Sequence, residues 1–286
     1  MRIQAKDFHL EATLESGQVF GFSKIGPRVT PEGRPRSPIY QGTINGHSVR
    51  LWQKNSLLYA EGSGAKTNLT KEIRDYFDLA RDMRPIYRIL LNDTSLSPAY
   101  RAFKGLRLIR QDPWEALACF ILSSNNNVKR IQGIWQNLSE HFGKQRRDQA
   151  FHFPRPDEIA KSHERILRQL GLGYRAPFLL KTAYFVAANP QTLEAIREAG
   201  YEEAKKRVLA FPGIGEKVAD CVLLYGFAKY EAFPVDVWIG RVIRRLYFNN
   251  RKISEEKVRL FGQNRWGDLA GYVQQYLFHG ARMEIL

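Results

Sequence analysis

The chain changes texture partway along. From Arg2 to about Glu61 the apolar residues fall in short strand-like runs broken by turn formers, and from about Leu69 they recur at helical spacing. In the first stretch, Gln18-Val19-Phe20-Gly21-Phe22 is a short apolar run. Residues 26–38 hold four prolines, which predicts a loop that cannot join a sheet. Asn45-Gly46 separates Ile39–Ile44 from His47–Gln53, a strong hairpin signal because both residues tolerate positive φ. Leu57–Ala60 predicts a further strand, and an antiparallel sheet of at least four strands is expected.

Helix starts punctuate the second stretch. Thr70 predicts an N-cap, while Ser97-Pro98 and Asp112-Pro113 put proline in a first turn. Further helices are expected over 129–142, 156–170, 175–188, 191–199, 201–210, 216–227, 237–248 and 268–281. No repeat or low-complexity tail interrupts them.

Charge sharpens this picture. Among 286 residues, 44 Lys+Arg face 29 Asp+Glu, a net charge of +15. Such a chain is drawn to polyanions, nucleic acid first among them. No apolar run approaches the roughly 18 residues of a membrane span, so no membrane partner is expected. The N-terminal Met1-Arg2-Ile3-Gln4 lacks the apolar stretch of a signal peptide. Cys119 and Cys221, the two cysteines, stand far apart. They argue against a disulfide framework and cannot complete a four-cysteine zinc or iron–sulfur site, so no metal centre is expected.

The most informative segment runs from Tyr201 to Phe227: a helix, the turn Phe211-Pro212-Gly213-Ile214-Gly215, and a second helix. Gly213 and Gly215 let the backbone approach a ligand, and Ile214 can plug between the helices. Free amides at the start of the second helix then suit a phosphate. An ordinary helical hairpin with a glycine cap meets the same spacing. Lys217 sits where the helix dipole is positive, which disfavours an ammonium and favours a nucleophilic amine. On spacing alone a phosphate-binding or solvated lysine is the better fit to the position. Cys221 is one turn on, with a buried apolar role as its plain alternative. Asp236, in Phe233-Pro234-Val235-Asp236-Val237-Trp238, is placed to cap the next helix, whose Arg241, Arg244 and Arg245 form a stripe facing phosphate or solvent. Asp220, three residues from Lys217, competes with Asp236 as its carboxylate partner.

The hairpin with its lysine, followed by Pro-Val-Asp, resembles the helix–hairpin–helix, Gly/Pro…Asp superfamily of DNA glycosylases. Within it the chain is similar to the 8-oxoguanine DNA glycosylase family. The residues that carry the likeness, in order, are Leu108–Pro113, Ser123–Asn127, Gly171–Arg175 and Lys217–Cys221, with Ser16-Gly17-Gln18 and Phe20 before them. It spans nearly the whole chain and is weakest between Lys24 and Asn68. The resemblance implies an α+β fold: an N-terminal antiparallel β-sheet (TBP-like) domain over residues 1–110 with flanking helices, then an all-α, two-part helix–hairpin–helix glycosylase domain over 111–286.

Roles follow from the resemblance, position by position. Lys217 would attack the deoxyribose C1′ and form a Schiff base that permits strand cleavage by β-elimination. Asp236, favoured over Asp220, would stabilise the positive sugar. The flipped base would lie between Phe278 and Cys221, against Pro234, with Gln274 reading its Watson–Crick edge. The Gly17 carbonyl would accept from N7–H, which 8-oxoguanine has and guanine lacks. Tyr174 would wedge into the duplex, Asn125 would fill the gap, and Arg130 and Arg175 would hold the estranged cytosine. Gly213 and Gly215 would grip phosphate. Trp238 and Ala281 depart from the histidine and aspartate of eukaryotic members, a paired loss that leaves neither partner orphaned.

The resemblance requires no cofactor and allows a structural monovalent cation at the hairpin carbonyls. Its partner is double-stranded DNA containing an oxidised purine. A monomer is expected, because no helix reads as an oligomer seam. The expected location is the cytoplasm, associated with the nucleoid, in a prokaryote, or the nucleus in a eukaryote. Two rival readings stand beside this one: a glycosylase for other damaged bases, and a non-catalytic DNA-binding module.

Overall fold

The structure is a computed structural model and describes residues 1–26, 37–62, 66–143 and 152–286. Most of the proline-rich stretch, residues 27–36, lies outside the described residues. The N-terminal elements are β1 (Arg2–Gln4), α1 (Leu10–Glu15), β2 (Phe22–Ile25), β3 (Ile39–Ile44), β4 (His47–Lys54), β5 (Leu57–Gly62) and α2 (Lys66–Tyr76). The strands form one antiparallel sheet in the order β1-β5-β4-β3-β2. Asn45 and Gly46 both take positive φ, +46° and +76°, so β3 and β4 close as a two-residue hairpin with Ile44 opposite His47. The apolar run at Gln18–Phe22 is irregular up to Gly21, and β2 begins at its last residue.

The helices that follow are α3 (Arg84–Asn92), α4 (Ser97–Phe103), α5 (Pro113–Ser123), α6 (Val128–Phe142), α7 (Pro156–Ala160), α8 (Glu164–Leu167), α9 (Ala176–Ala188) and α10 (Thr192–Glu198). The chain closes with α11 (Tyr201–Leu209), α12 (Glu216–Phe227), α13 (Val237–Tyr247), α14 (Glu255–Trp266) and α15 (Ala270–Arg282). Several helix ends follow their local signals. Asp112 caps α5 by accepting from the Glu115 N–H at 2.9 Å, and Asn127 caps α6 through the Arg130 N–H at 2.9 Å.

Other expectations are corrected. The helix expected over 156–170 is broken into α7 and α8, after which a wide turn spans Arg168–Leu172. Thr70 is inside α2, not its cap, because that helix starts four residues earlier. Helices α1, α3 and α14 escaped the sequence reading. The last carries a legible start, since the Ser254 hydroxyl accepts from the Lys257 N–H and two glutamates fill the first turn.

Two apolar cores result. One lies on the sheet and gathers Ile3, Val49, Leu51, Leu58, Ile73 and Phe77. The other lies among the helices and reaches back to Ala12, Phe20, Met83 and Leu90. Buried Gln18 laces the Ser16–Gln18 turn to the 107–111 segment: its amide donates to the Arg107 carbonyl at 2.9 Å and accepts from the Ile109 N–H at 2.8 Å. Gln275, fully buried on α15, donates to the Ser16 carbonyl at 3.0 Å. These bonds set Gly17 against the last helix.

Candidate active site

The hairpin is built as its spacing predicts. Gly213 has φ +76°, and a Cβ there would lie 2.4 Å from the Phe178 ring, so the turn needs glycine on both counts. Ile214 is buried between the helices, and Gly215 caps α12 with open space beside it. Lys217 then falls in the first turn of α12, half-buried, with Nζ 6.0 Å from the centre of the Phe120 ring. Burial pushes the Cys221 thiol, one turn on, up to about 11 against the pull of the Lys217 charge, so it stays protonated and apolar.

Asp236 caps α13: Oδ1 accepts from the Ile239 N–H at 2.9 Å. Burial raises its pKa above the usual carboxylate value, while that hydrogen bond and then the neighbouring Lys217 pull it back down. Asp220, the competing carboxylate, is fully buried and turned toward α11. It accepts from the Tyr201 hydroxyl at 2.7 Å and pairs with buried Lys205 at 2.9 Å, which also reaches Glu216 at 2.8 Å. Asp220 therefore ties the two hairpin helices together, and Asp236 is the carboxylate whose ionised form the Lys217 charge favours.

The groups expected around a base also converge. Gly17 takes φ +80°, and a Cβ there would meet Arg282 Nη1 at 2.7 Å and the Phe278 ring at 3.2 Å. The amide of Gln274 is buried; Nε2 donates to the Pro234 carbonyl at 3.1 Å, and Oε1 has no hydrogen-bond partner among the described residues. A buried acceptor without a donor is rare in folded proteins and marks a place for a ligand donor. Arg282, beside Phe278 and Gly17, was not singled out from the sequence. Its i, i+4, i+8 spacing with Gln274 and Phe278 was the available signal.

Residues expected at the duplex lie together near the start of α6. Asn125 is exposed at φ +48°, Arg130 is exposed, and Tyr174 is half exposed with its hydroxyl 3.2 Å from the Ser124 carbonyl. Arg175 differs from the others. It is buried, and its guanidinium donates to the carbonyls of Ser124 and Asn125, stacking 4.3 Å from the Tyr174 ring. In this structure it braces the loop that carries Asn125. The stripe on α13 divides likewise: Arg241 and Arg245 are exposed, whereas Arg244 folds back onto the Ile253 carbonyl at 2.8 Å. Trp238 and Ala281, the two departures, border a cleft of about 320 Å³ with Arg241, Arg245 and Asn250.

A larger cleft of about 790 Å³ runs between β2, β3 and α6, lined by Lys24, Tyr40 and Trp135 among others, but holds neither Lys217 nor Asp236. Among the described residues no helix is long and apolar enough to cross a membrane, and no cluster of three or more His, Cys, Asp and Glu could hold a metal ion.

Residues 1–117 match the family model of the 8-oxoguanine DNA glycosylase N-terminal domain, and residues 118–267 match that of HhH-GPD superfamily base excision DNA repair proteins. The chain is 32% identical to a probable N-glycosylase/DNA lyase of Methanothermobacter thermautotrophicus, over 99% of this chain and 96% of the relative. Among solved structures it is similar to MBOgg1 in complex with a low-affinity DNA ligand, with TM-score 0.88, 32% identity, and coverage of 99% of this chain and 94% of the other. The Clostridium acetobutylicum 8-oxoguanine glycosylase/lyase, bound to double-stranded DNA with cytosine opposite 8-oxoG, matches with TM-score 0.88 and 29% identity over 100% of this chain and 99% of that one. With an amine and a carboxylate brought together behind a glycine hairpin, the chain belongs to the HhH-GPD superfamily of base excision DNA repair proteins and is a DNA glycosylase with an N-terminal domain of the 8-oxoguanine type.

Proposed function

We propose that this enzyme excises 8-oxoguanine opposite cytosine from duplex DNA and cleaves the strand at the resulting site. The observation that carries the reading is Lys217 in the first turn of α12 behind the glycine hairpin, within electrostatic reach of Asp236 at the cap of α13, together with the buried and half-satisfied Gln274 bonded to Pro234. The Lys217 amine bonds to C1′ as the glycosidic bond breaks and the base leaves with the bonding electrons. Loss of the amine proton and opening of the sugar give an imine. This imine acidifies C2′–H, and removal of that proton expels the 3′ phosphate. Asp236 faces the sugar as positive charge develops, in a site where a fixed carboxylate acts at low dielectric. The extrahelical base enters between Phe278 and Cys221. Its Watson–Crick donors meet the free Oε1 of Gln274, and its N7–H meets the Gly17 carbonyl, which would repel the N7 lone pair of guanine. Asn125, Tyr174 and Arg130 face the duplex, and Arg175 holds their loop. The reaction requires no cofactor, and the enzyme acts as a monomer.

Borohydride trapping on a duplex containing 8-oxoguanine opposite each of the four bases tests the reading. A covalent adduct is expected, strongest opposite cytosine and abolished by Lys217→Gln. Tight binding to the lesion with no adduct from the wild-type chain would instead support a non-catalytic module.

A further inference from the structure

Arg282 is left without a role by the reaction above. It lies in the last turn of α15, four residues past Phe278 and eight past Gln274, so the three share one helix face at successive turns. Its guanidinium carbon is 5.4 Å from the centre of the Phe278 ring, and Nη1 presses against Gly17. Nη1 is buried and has no hydrogen-bond partner among the described residues. Burial pushes the guanidinium pKa down, with the Asp236 charge opposing it. A charged donor left unpaired in the interior is costly, and native folds keep one only for a reason.

Gln274 presents the complementary case, a buried acceptor without a donor. Along α15 the site therefore offers an unpaired acceptor, an aromatic plane, and an unpaired donor, one turn apart. A purine stacked on Phe278 with its Watson–Crick edge at Gln274 points its opposite, imidazole end one turn further, toward Arg282. At that end 8-oxoguanine carries a carbonyl oxygen on C8, and guanine carries only C8–H.

We infer that Arg282 is a further base-reading residue, which donates its Nη1–H to the C8 carbonyl oxygen of the flipped base. This rests on the 8-oxoguanine reading proposed above and deepens it. The Gly17 carbonyl takes N7–H, the neighbouring Arg282 serves the adjacent oxygen, and undamaged guanine satisfies neither. Guanine in the pocket would leave the buried Nη1 of Arg282 unpaired, a penalty that discriminates more strongly than a gained contact. An arginine aimed at O6 and N7 would favour guanine instead. The position of Arg282 beyond Phe278, at the end remote from Gln274, directs it to C8.

The test uses single-turnover kinetics of the full chain on two duplexes, one with 8-oxoguanine opposite cytosine and one with a preformed abasic site, whose cleavage involves no base. Arg282→Met keeps the apolar stem, and Arg282→Lys keeps a donor. Arg282→Met is expected to slow 8-oxoguanine excision by about 10-fold to 100-fold, the range of a lost charge-assisted hydrogen bond, with a far smaller loss on the abasic duplex. Arg282→Lys should recover part of the loss. In a Lys217→Gln background, Arg282→Met should also shrink the binding preference for 8-oxoguanine over guanine duplex by a similar factor. Undiminished excision by Arg282→Met, or equal losses on both duplexes, would overturn the inference. Failure of the wild-type chain to bind or excise 8-oxoguanine would refute the substrate reading itself, which keeps the two failures apart.

Discussion

Asp236→Asn separates a charge from a helix cap. The side chain accepts from the Ile239 N–H at 2.9 Å, and asparagine caps as well as aspartate, so α13 should keep its start. What is lost is the carboxylate facing Lys217. At about 4 Å from a developing sugar cation and an effective dielectric of about 20, it contributes roughly 4 kcal/mol. That corresponds to a rate factor of about a thousand. Single-turnover excision on a duplex with 8-oxoguanine opposite cytosine should fall by about 100-fold to 1000-fold, with lesion binding nearly unchanged and the melting temperature at neutral pH not lowered. The pH profile supplies a second check. Burial raises the Asp236 pKa, so excision by the wild type should fail, as pH is lowered, at a higher pH than an exposed aspartate would allow. The same raised value means that ionised Asp236 costs stability, and the protein recovers it as pH falls through that pKa. Excision by Asp236→Asn within tenfold of wild type would remove this carboxylate from the mechanism.

Two further substitutions probe the scaffold. Gly17→Ala forces a Cβ onto a residue at φ +80°, 2.7 Å from Arg282 Nη1 and 3.2 Å from Phe278. A loss of roughly 1–2 kcal/mol in stability is expected, together with slowed excision as both side chains shift, measured by denaturant titration and single-turnover kinetics. A fully active, fully stable variant would show that the turn is not what positions them. Lys205→Met strands the fully buried Asp220 with the Tyr201 hydroxyl alone and should cost about 3–5 kcal/mol. Adding Asp220→Leu should restore part of this in a double-mutant cycle, whereas strictly additive losses would deny that the pair is coupled.

The chain itself announced much of this. The Asn45-Gly46 hairpin, the proline-marked starts of α4 and α5, the glycine turn and the lysine behind it are local signals, each contained within a few consecutive residues. The order of Leu108–Pro113, Ser123–Asn127, Gly171–Arg175 and Lys217–Cys221 was enough to carry the family resemblance. Tertiary structure decided what depends on partners distant in sequence. By spacing Asp220, three residues from Lys217, is the nearer candidate, and packing of α11 against α12 is what gives it to Lys205 and leaves Asp236 as the carboxylate that the lysine's charge stabilises. Arg175, expected from the resemblance to hold the estranged cytosine, is instead closed around by the Ser124 and Asn125 carbonyls in the fold. Arg282 acquires meaning only because a hydrogen bond from Gln275 to Ser16, spanning 259 positions, brings Gly17 to the last helix. Backbone preference is written residue by residue, but burial and the pairing of charges are properties of contacts, and those exist only once the chain has folded.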